Sequence, residues 1–177
     1  MARDLPVEAV RAHMMQHFDG TSTVEKPDDQ NSRWAKLWEN DFLPWDRGLP
    51  NPALEDTLAQ RKDLIGSPMT VDAKTGKERR KRAFVPGCGR GYDVLLLASF
   101  GYDAYGLDVS EKAVDLCREW AKEHAEDYKI KDEAVGRGTV TFIAADFFSD
   151  EWRKELEGDV AGFEVLYDYT VWFPLDE

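Results

Sequence analysis

Cysteine, histidine and methionine are scarce in this 177-residue chain, at two, three and four copies. Two cysteines, Cys88 and Cys117, cannot build a disulfide framework, so a reducing cytoplasmic compartment is expected. Long apolar runs are also missing. None approaches the roughly 20 residues of a membrane span, and the opening MARDLPVEAVRAHMM carries Arg3, Asp4 and Glu8 where a secretory signal is continuously apolar. No membrane partner is expected. Basic charge is in short supply as well, with 23 Lys and Arg against 35 Asp and Glu, a net charge of −12. Nucleic-acid binding draws on positive surface, so a nucleic-acid partner is not expected either. The one basic cluster, Lys77-Glu-Arg79-Arg80-Lys81-Arg82, reads as a solvated approach to a strand rather than an anion-binding patch. No segment repeats.

What is present suits one globular domain: 42% hydrophobic and 33% charged residues in a chain long enough for a proper core. Residues 1–18 suggest an amphipathic helix with Val7, Val10, Met14, Met15 and Phe18 loosely on one side. Residues 19–32 are polar and turn-rich, a linker by composition. Ser32 is a candidate N-cap for a short helix in which Trp34 and Trp38, at i and i+4, share a face. Pro44, Gly48 and Pro50 force an irregular path, and Asn51-Pro52 reads as the next helix start. Residues 66–82 look like an exposed loop or hairpin with Gly76 at its tip. The expected organisation is therefore 1–32 helix and linker, 33–65 aromatic-rich segment, 66–82 insertion and 83–177 core.

From residue 83 the pattern becomes strand, helix, strand, helix, strand, short helix, strand. The strands are 83–86, 102–107, 139–145 and 163–167, and the first helix holds the fully apolar Val94–Ala98. Ser110 is a good N-cap for the second helix, whose Ala113, Leu116, Cys117, Trp120, Ala121 and His124 recur at helical spacing. That alternation predicts an α/β fold with a doubly wound, mostly parallel sheet.

The first strand–turn–helix carries G-x-G-x-G at Gly87, Gly89 and Gly91. Such glycines let the backbone pass close to a ligand. Asp108 ends the next strand, where a carboxylate accepts hydrogen bonds from the ribose of a nucleotide-type cofactor. The dinucleotide fingerprint needs a small residue at position 92, and Tyr92 disfavours NAD or FAD there; a phosphate-binding P-loop sequence is absent. S-adenosyl-L-methionine, with ribose on Asp108 and adenine near Asp146 and Phe147, fits best. Its product would be S-adenosyl-L-homocysteine.

The blocks WAKLWENDFLPWDRGLPNPAL, AFVPGCGRGYDVLLLA, GLDVSEKAV, FIAADFF and VLYDYT occur in an order that resembles the thiopurine/thiol methyltransferase superfamily, nearest to the halide and thiol methyltransferases of plants and fungi. The resemblance implies a class I, Rossmann-like methyltransferase fold and transfer of a methyl group to a small thiol, sulfide-type or halide acceptor. It also implies that Trp34, Trp38 and Trp45 fold over the cofactor. Gly87, Gly89, Asp108, Asp146, Phe147 and Tyr169 would complete the cofactor site, and Tyr169 is the catalytic candidate beside the transferred methyl. Aromatic faces attract a sulfonium and keep water from it, which agrees with that placement.

A thiolate or halide attacks without a general base, and none is nominated. His13 and His17 are weaker candidates for an approach to the acceptor, and Cys88 and Cys117 read as packing residues. No metal site is expected. The sequence departs from the family after DYT, where it reads Val171-Trp-Phe-Pro-Leu175, and only four strands are visible of the seven in such a fold. The expectation is a truncated form lacking C-terminal strands, with a homodimer through the exposed sheet edge. The alternative function is a non-catalytic protein that binds S-adenosylmethionine as a regulatory partner.

Overall fold

The computed structural model describes residues 5–18, 30–156 and 162–169. Two helices come first, α1 (Val7–Phe18) and α2 (Gln30–Glu39). No residue of α1 is buried, and Val7 and Met15 are 78% and 60% exposed, so only Val10, Met14 and Phe18 of its expected apolar side are partly covered. Ser32 lies inside α2 rather than capping it, because the helix already starts at Gln30. Residues 19–29 of the expected linker lie outside the described residues.

Helix α3 (Pro52–Gln60) begins as its sequence predicts: the Asn51 side chain accepts a hydrogen bond from the Ala53 N–H, and Pro52 takes the first turn. After the short α4 (Lys62–Ile65) comes an antiparallel hairpin of β1 (Met69–Val71) and β2 (Glu78–Arg80), with Gly76 in its turn at φ 68°. The basic cluster is not a solvated approach. Arg80 donates to the carbonyls of Gly101, Gly136 and Val135, Lys81 to that of Ile65, and Arg79 pairs with Glu164 and Asp72. These cations staple the hairpin to the core because they cross to loops that run beside it.

The main sheet holds β3 (Arg82–Pro86), β4 (Asp103–Asp108), β5 (Val140–Ala144) and β6 (Val165–Leu166), all parallel, in the order β5–β4–β3–β6. Helices α5 (Tyr92–Ser99) and α6 (Glu111–His124) connect β3 to β4 and β4 to β5. Alternation along the strands divides the core into two layers. Ala83, Val85 and Ala104 pack with Val94, Leu96 and Leu97 of α5 on one face. Phe84, Leu107 and Ile143 meet Trp152 and Leu156 on the other. Covering both faces explains why β3 is apolar at every position from Ala83 to Val85. Gly106 of β4 permits the close packing of α5, since a Cβ there would sit 2.8 Å from Val94 Cγ2 and 2.9 Å from Cys88 Sγ. The doubly wound reading holds. Strand β6 pairs only with β3 among the described residues, and Leu166 on it is 61% exposed.

Candidate cofactor site

The carboxyl end of β3 runs directly into the glycine turn. Gly87, Gly89 and Gly91 all adopt left-handed backbone, at φ 57°, 56° and 75°, which residues with a Cβ adopt only under strain. The turn is tied down by Cys88 N–H to Leu107 O and Gly91 N–H to Cys88 O, both 2.9 Å. Gly91 has no room besides: a Cβ would lie 2.7 Å from the Phe142 ring.

Asp108 closes the turn from β4. One carboxylate oxygen accepts from Gly89 N–H and the other from Ser110 N–H, each at 3.0 Å. Ser110 in turn caps α6 by accepting from Ala113 N–H at 3.2 Å. The side chain is buried, and that loss of water raises its pKa to about 6 although the backbone donors of Ser110, Gly89 and Val109 pull the other way. A carboxylate offers about four lone-pair sites, so these donors do not exhaust it. It remains able to accept from a ligand in the cleft it lines.

Beyond β5, Asp146 forms a tight turn in which its carboxylate accepts from Phe148 N–H at 2.9 Å. That turn places the Phe147 ring over Phe84 at 6.0 Å between centroids.

The opposite wall comes from the beginning of the chain. Trp38 is 3% exposed, packs with Leu43 and Ala113, and lies 3.6 Å from where a Cβ of Gly89 would stand. Asp41, at φ 52°, turns the chain out of α2. The returning segment then brings Trp45 edge-on to Trp34 at 5.4 Å and to Trp38 at 6.3 Å. Helical spacing alone supplied two indoles on one face; the third arrives through the turn.

Between these walls lies a cleft of about 600 Å³. It gathers Trp34, Trp38, Trp45, Gly87, Gly89, Asp108, Asp146, Phe147 and Tyr169 on its lining. Tyr169 sits at the open side, 58% exposed. The histidines stand apart: the His13 ring lies tilted against Phe42 at 3.9 Å between centroids, His17 bonds to Arg33 O at 2.8 Å, and neither lines the cleft. Cys117 donates to Gly89 O at 2.8 Å, and Cys88 lies 4.0 Å from it, with a thiol pKa raised well above the ordinary value by its contact with Cys117 and by burial. Such a thiol is a packing group rather than a nucleophile.

Several cleft residues escaped the sequence reading. Asp93 accepts from Asn51 N–H at 2.7 Å, and burial raises its pKa. Tyr167 also lines the cleft, and burial together with the nearby Asp93 raises its phenol to about 12. Both fall inside the quoted blocks, and only the missing long-range partners hid their roles. Tyr92 lies elsewhere than its place in the glycine motif suggested. Its ring meets Trp120 of α6 edge-on at 5.2 Å and its hydroxyl donates to Asp46. Close helix–strand approaches fall at Gly91 and Gly106.

Comparison with known proteins identifies a family. Residues 29–177 match the family described as thiopurine S-methyltransferase (TPMT). Thiocyanate methyltransferase 1 of Brassica oleracea is 31% identical over 144 residues, covering 81% of this chain and 49% of the relative. Probable thiol methyltransferase 2 of Arabidopsis thaliana is 29% identical over 143 residues, with the same coverage of 81% and 49%. Thiopurine S-methyltransferase of a Pseudomonas fluorescens strain is 26% identical over 139 residues, 76% of this chain and 53% of that protein. The chain thus spans about half the length of the curated relatives it matches. From the glycine turn, the buried strand-end acid and the family match together, the chain belongs to the thiopurine S-methyltransferase family.

Proposed function

We propose that this protein is an S-adenosyl-L-methionine-dependent methyltransferase acting on a small thiol or a sulfide-type or halide anion. The observation that carries the reading is the convergence of a buried carboxylate, a left-handed glycine turn and three indoles on one cleft. The residues fit the cofactor. Asp108 retains acceptor capacity for ribose hydroxyls, and Asp146 with Phe147 offers a polar edge and a ring face for adenine. Trp34, Trp38 and Trp45 present aromatic surface to a cation and shed water from the reacting methyl.

When bound, S-adenosylmethionine supplies a methyl group already activated on a sulfonium, so the protein's task is alignment and exclusion of water. Tyr169, exposed at the open side, is the residue we assign to the acceptor. A thiolate or halide needs no proton removed at attack, which suits a cleft whose lining includes no histidine among the described residues. The names of the relatives, thiocyanate, thiol and thiopurine methyltransferases, all specify sulfur-bearing acceptors and favour a sulfur nucleophile for this chain too.

Calorimetric titration with S-adenosylhomocysteine, followed by mass-detected methyl transfer to iodide, bisulfide and an aromatic thiol, tests the proposal. Binding with transfer to at least one of these supports it. Binding without transfer reduces the protein to a cofactor-binding partner, and no binding removes both readings.

A further inference from the structure

The chain between α2 and α3, residues 40–51, carries Trp45 yet has no regular secondary structure to hold it in place. Part of its anchorage lies in one carboxylate. Asp46, next to Trp45, has a side chain only 8% exposed. One of its oxygens accepts from the Tyr92 hydroxyl at 3.1 Å and from Gly48 N–H at 2.9 Å. The other lies 2.9 Å from Nε of Arg90. That second contact is an ion pair rather than an aligned hydrogen bond, since the buried Nε has no hydrogen-bond geometry to any acceptor.

Arg90 and Tyr92 stand on either side of Gly91, the left-handed residue that starts α5. Five residues past Asp46, the backbone N–H of Asn51 bonds to Asp93 in the same first turn of α5. The indole-bearing segment is therefore fastened twice to the glycine turn, once through Asp46 and once through Asn51. Only the first fastening involves opposite charges removed from water, where the loss of one partner leaves the other uncompensated.

We propose that Asp46 is a positioning residue, which through Arg90 and Tyr92 locks the Trp45 segment to the glycine turn and so preforms the cofactor cleft. The inference rests on the proposed cofactor reading. Its physical content is preorganisation. With the pairs in place, the indole wall and the turn stand at their bound spacing before ligand arrives, and binding energy is not spent on closing them. Without the pairs, the segment still has the Trp38–Leu43–Ala113 packing, the ring contacts of Trp45 and the Asn51 bond, but loses its charged tie to the glycine turn. Ligand then dissociates faster, since interface perturbations act mostly on the off-rate.

The test compares D46N, R90Q, the double variant and Y92F for S-adenosylhomocysteine affinity by calorimetry, well below each variant's Tm. D46N keeps an oxygen for Tyr92 and Gly48 but no charge for Arg90. Each of D46N and R90Q is expected to weaken binding about tenfold, at the low end for breaking a partly buried charged contact. The double variant is expected to lose no more than either single one, because both remove the same contact. Y92F should lose less, since it deletes one neutral bond. Acrylamide quenching of tryptophan fluorescence in the unliganded protein should rise in D46N, a readout that a uniform loss of stability would not move. Unchanged affinity with a lowered Tm, or fully additive losses in the double variant, would overturn the lock. If D46N does not fold, R90Q alone decides, and wild-type affinity in R90Q overturns the proposal. Failure of the wild-type protein to bind S-adenosylhomocysteine would instead overturn the cofactor reading itself.

Discussion

Asp108 makes the cofactor reading quantitative through pH. In the unliganded protein its pKa stands at about 6, because burial disfavours the charged form more than three backbone donors favour it. A carboxyl whose folded pKa exceeds its unfolded value of 3.8 binds more protons folded than unfolded between those values. Stability from this group is therefore fully present below about pH 4 and is lost as pH rises to about 6, a cost of about 3 kcal/mol at neutral pH. Two ribose hydroxyls donating to the ionised carboxylate would offset that cost and return the bound pKa towards about 4.

Linkage then gives the size of the effect: affinity for S-adenosylhomocysteine should be about tenfold weaker at about pH 5 than at about pH 7. The window ends below the titration of a ligand α-amino group, near 7.7–8.0 in ordinary peptides, so that group does not confuse the reading. Calorimetry in two buffers of different ionisation enthalpy near pH 6 should show about half a proton released per ligand bound. Asp108→Asn should bind more weakly at neutral pH and with little pH dependence. A flat wild-type affinity across this range, or an equal slope in Asp108→Asn, would refute the assignment of the ribose to Asp108.

Gly91→Ala should destabilise the fold by about 1–3 kcal/mol or more, as left-handed strain adds to a Cβ placed 2.7 Å from Phe142, and chemical denaturation reads this as a lowered midpoint. Trp38→Ala removes a ring that is 3% exposed and should cost about 3–5 kcal/mol, with S-adenosylhomocysteine affinity falling in the same variant. Wild-type affinity there would show that the indole only packs. Tyr169→Phe should lower the rate of methyl transfer at least about tenfold at saturating cofactor while leaving S-adenosylhomocysteine affinity within about twofold. An undiminished rate would move Tyr169 away from the reacting atoms.

Local signals were the legible ones. Asn51 and Ser110 cap their helices because the capping bond spans only two or three residues, and that spacing is visible in any sequence. The run Val94–Ala98 declared a helix covered on all sides, and its five residues are all buried. Glycines at 87, 89 and 91 marked a turn that side chains would block, and all three adopt left-handed backbone, which residues with a Cβ adopt only under strain. Ser32 misled for the same local reason: a good capping side chain does not cap when the helix starts before it.

What lay beyond reach was every pairing across distance. The sequence determined by itself an alternating α/β chain, a glycine-rich turn after its first core strand and a stock of indoles near the start. Only the tertiary structure decided that Arg79 and Arg80 are staples, that His13 and His17 stand away from the cleft, and that Asp46 meets Arg90 and Tyr92. The reason is that torsion preferences and caps act within one turn of chain, whereas the folded chain brings together groups far apart in sequence, as Arg79 and Glu164 are at a separation of 85. No local preference encodes such a meeting; it exists only once the strands have paired.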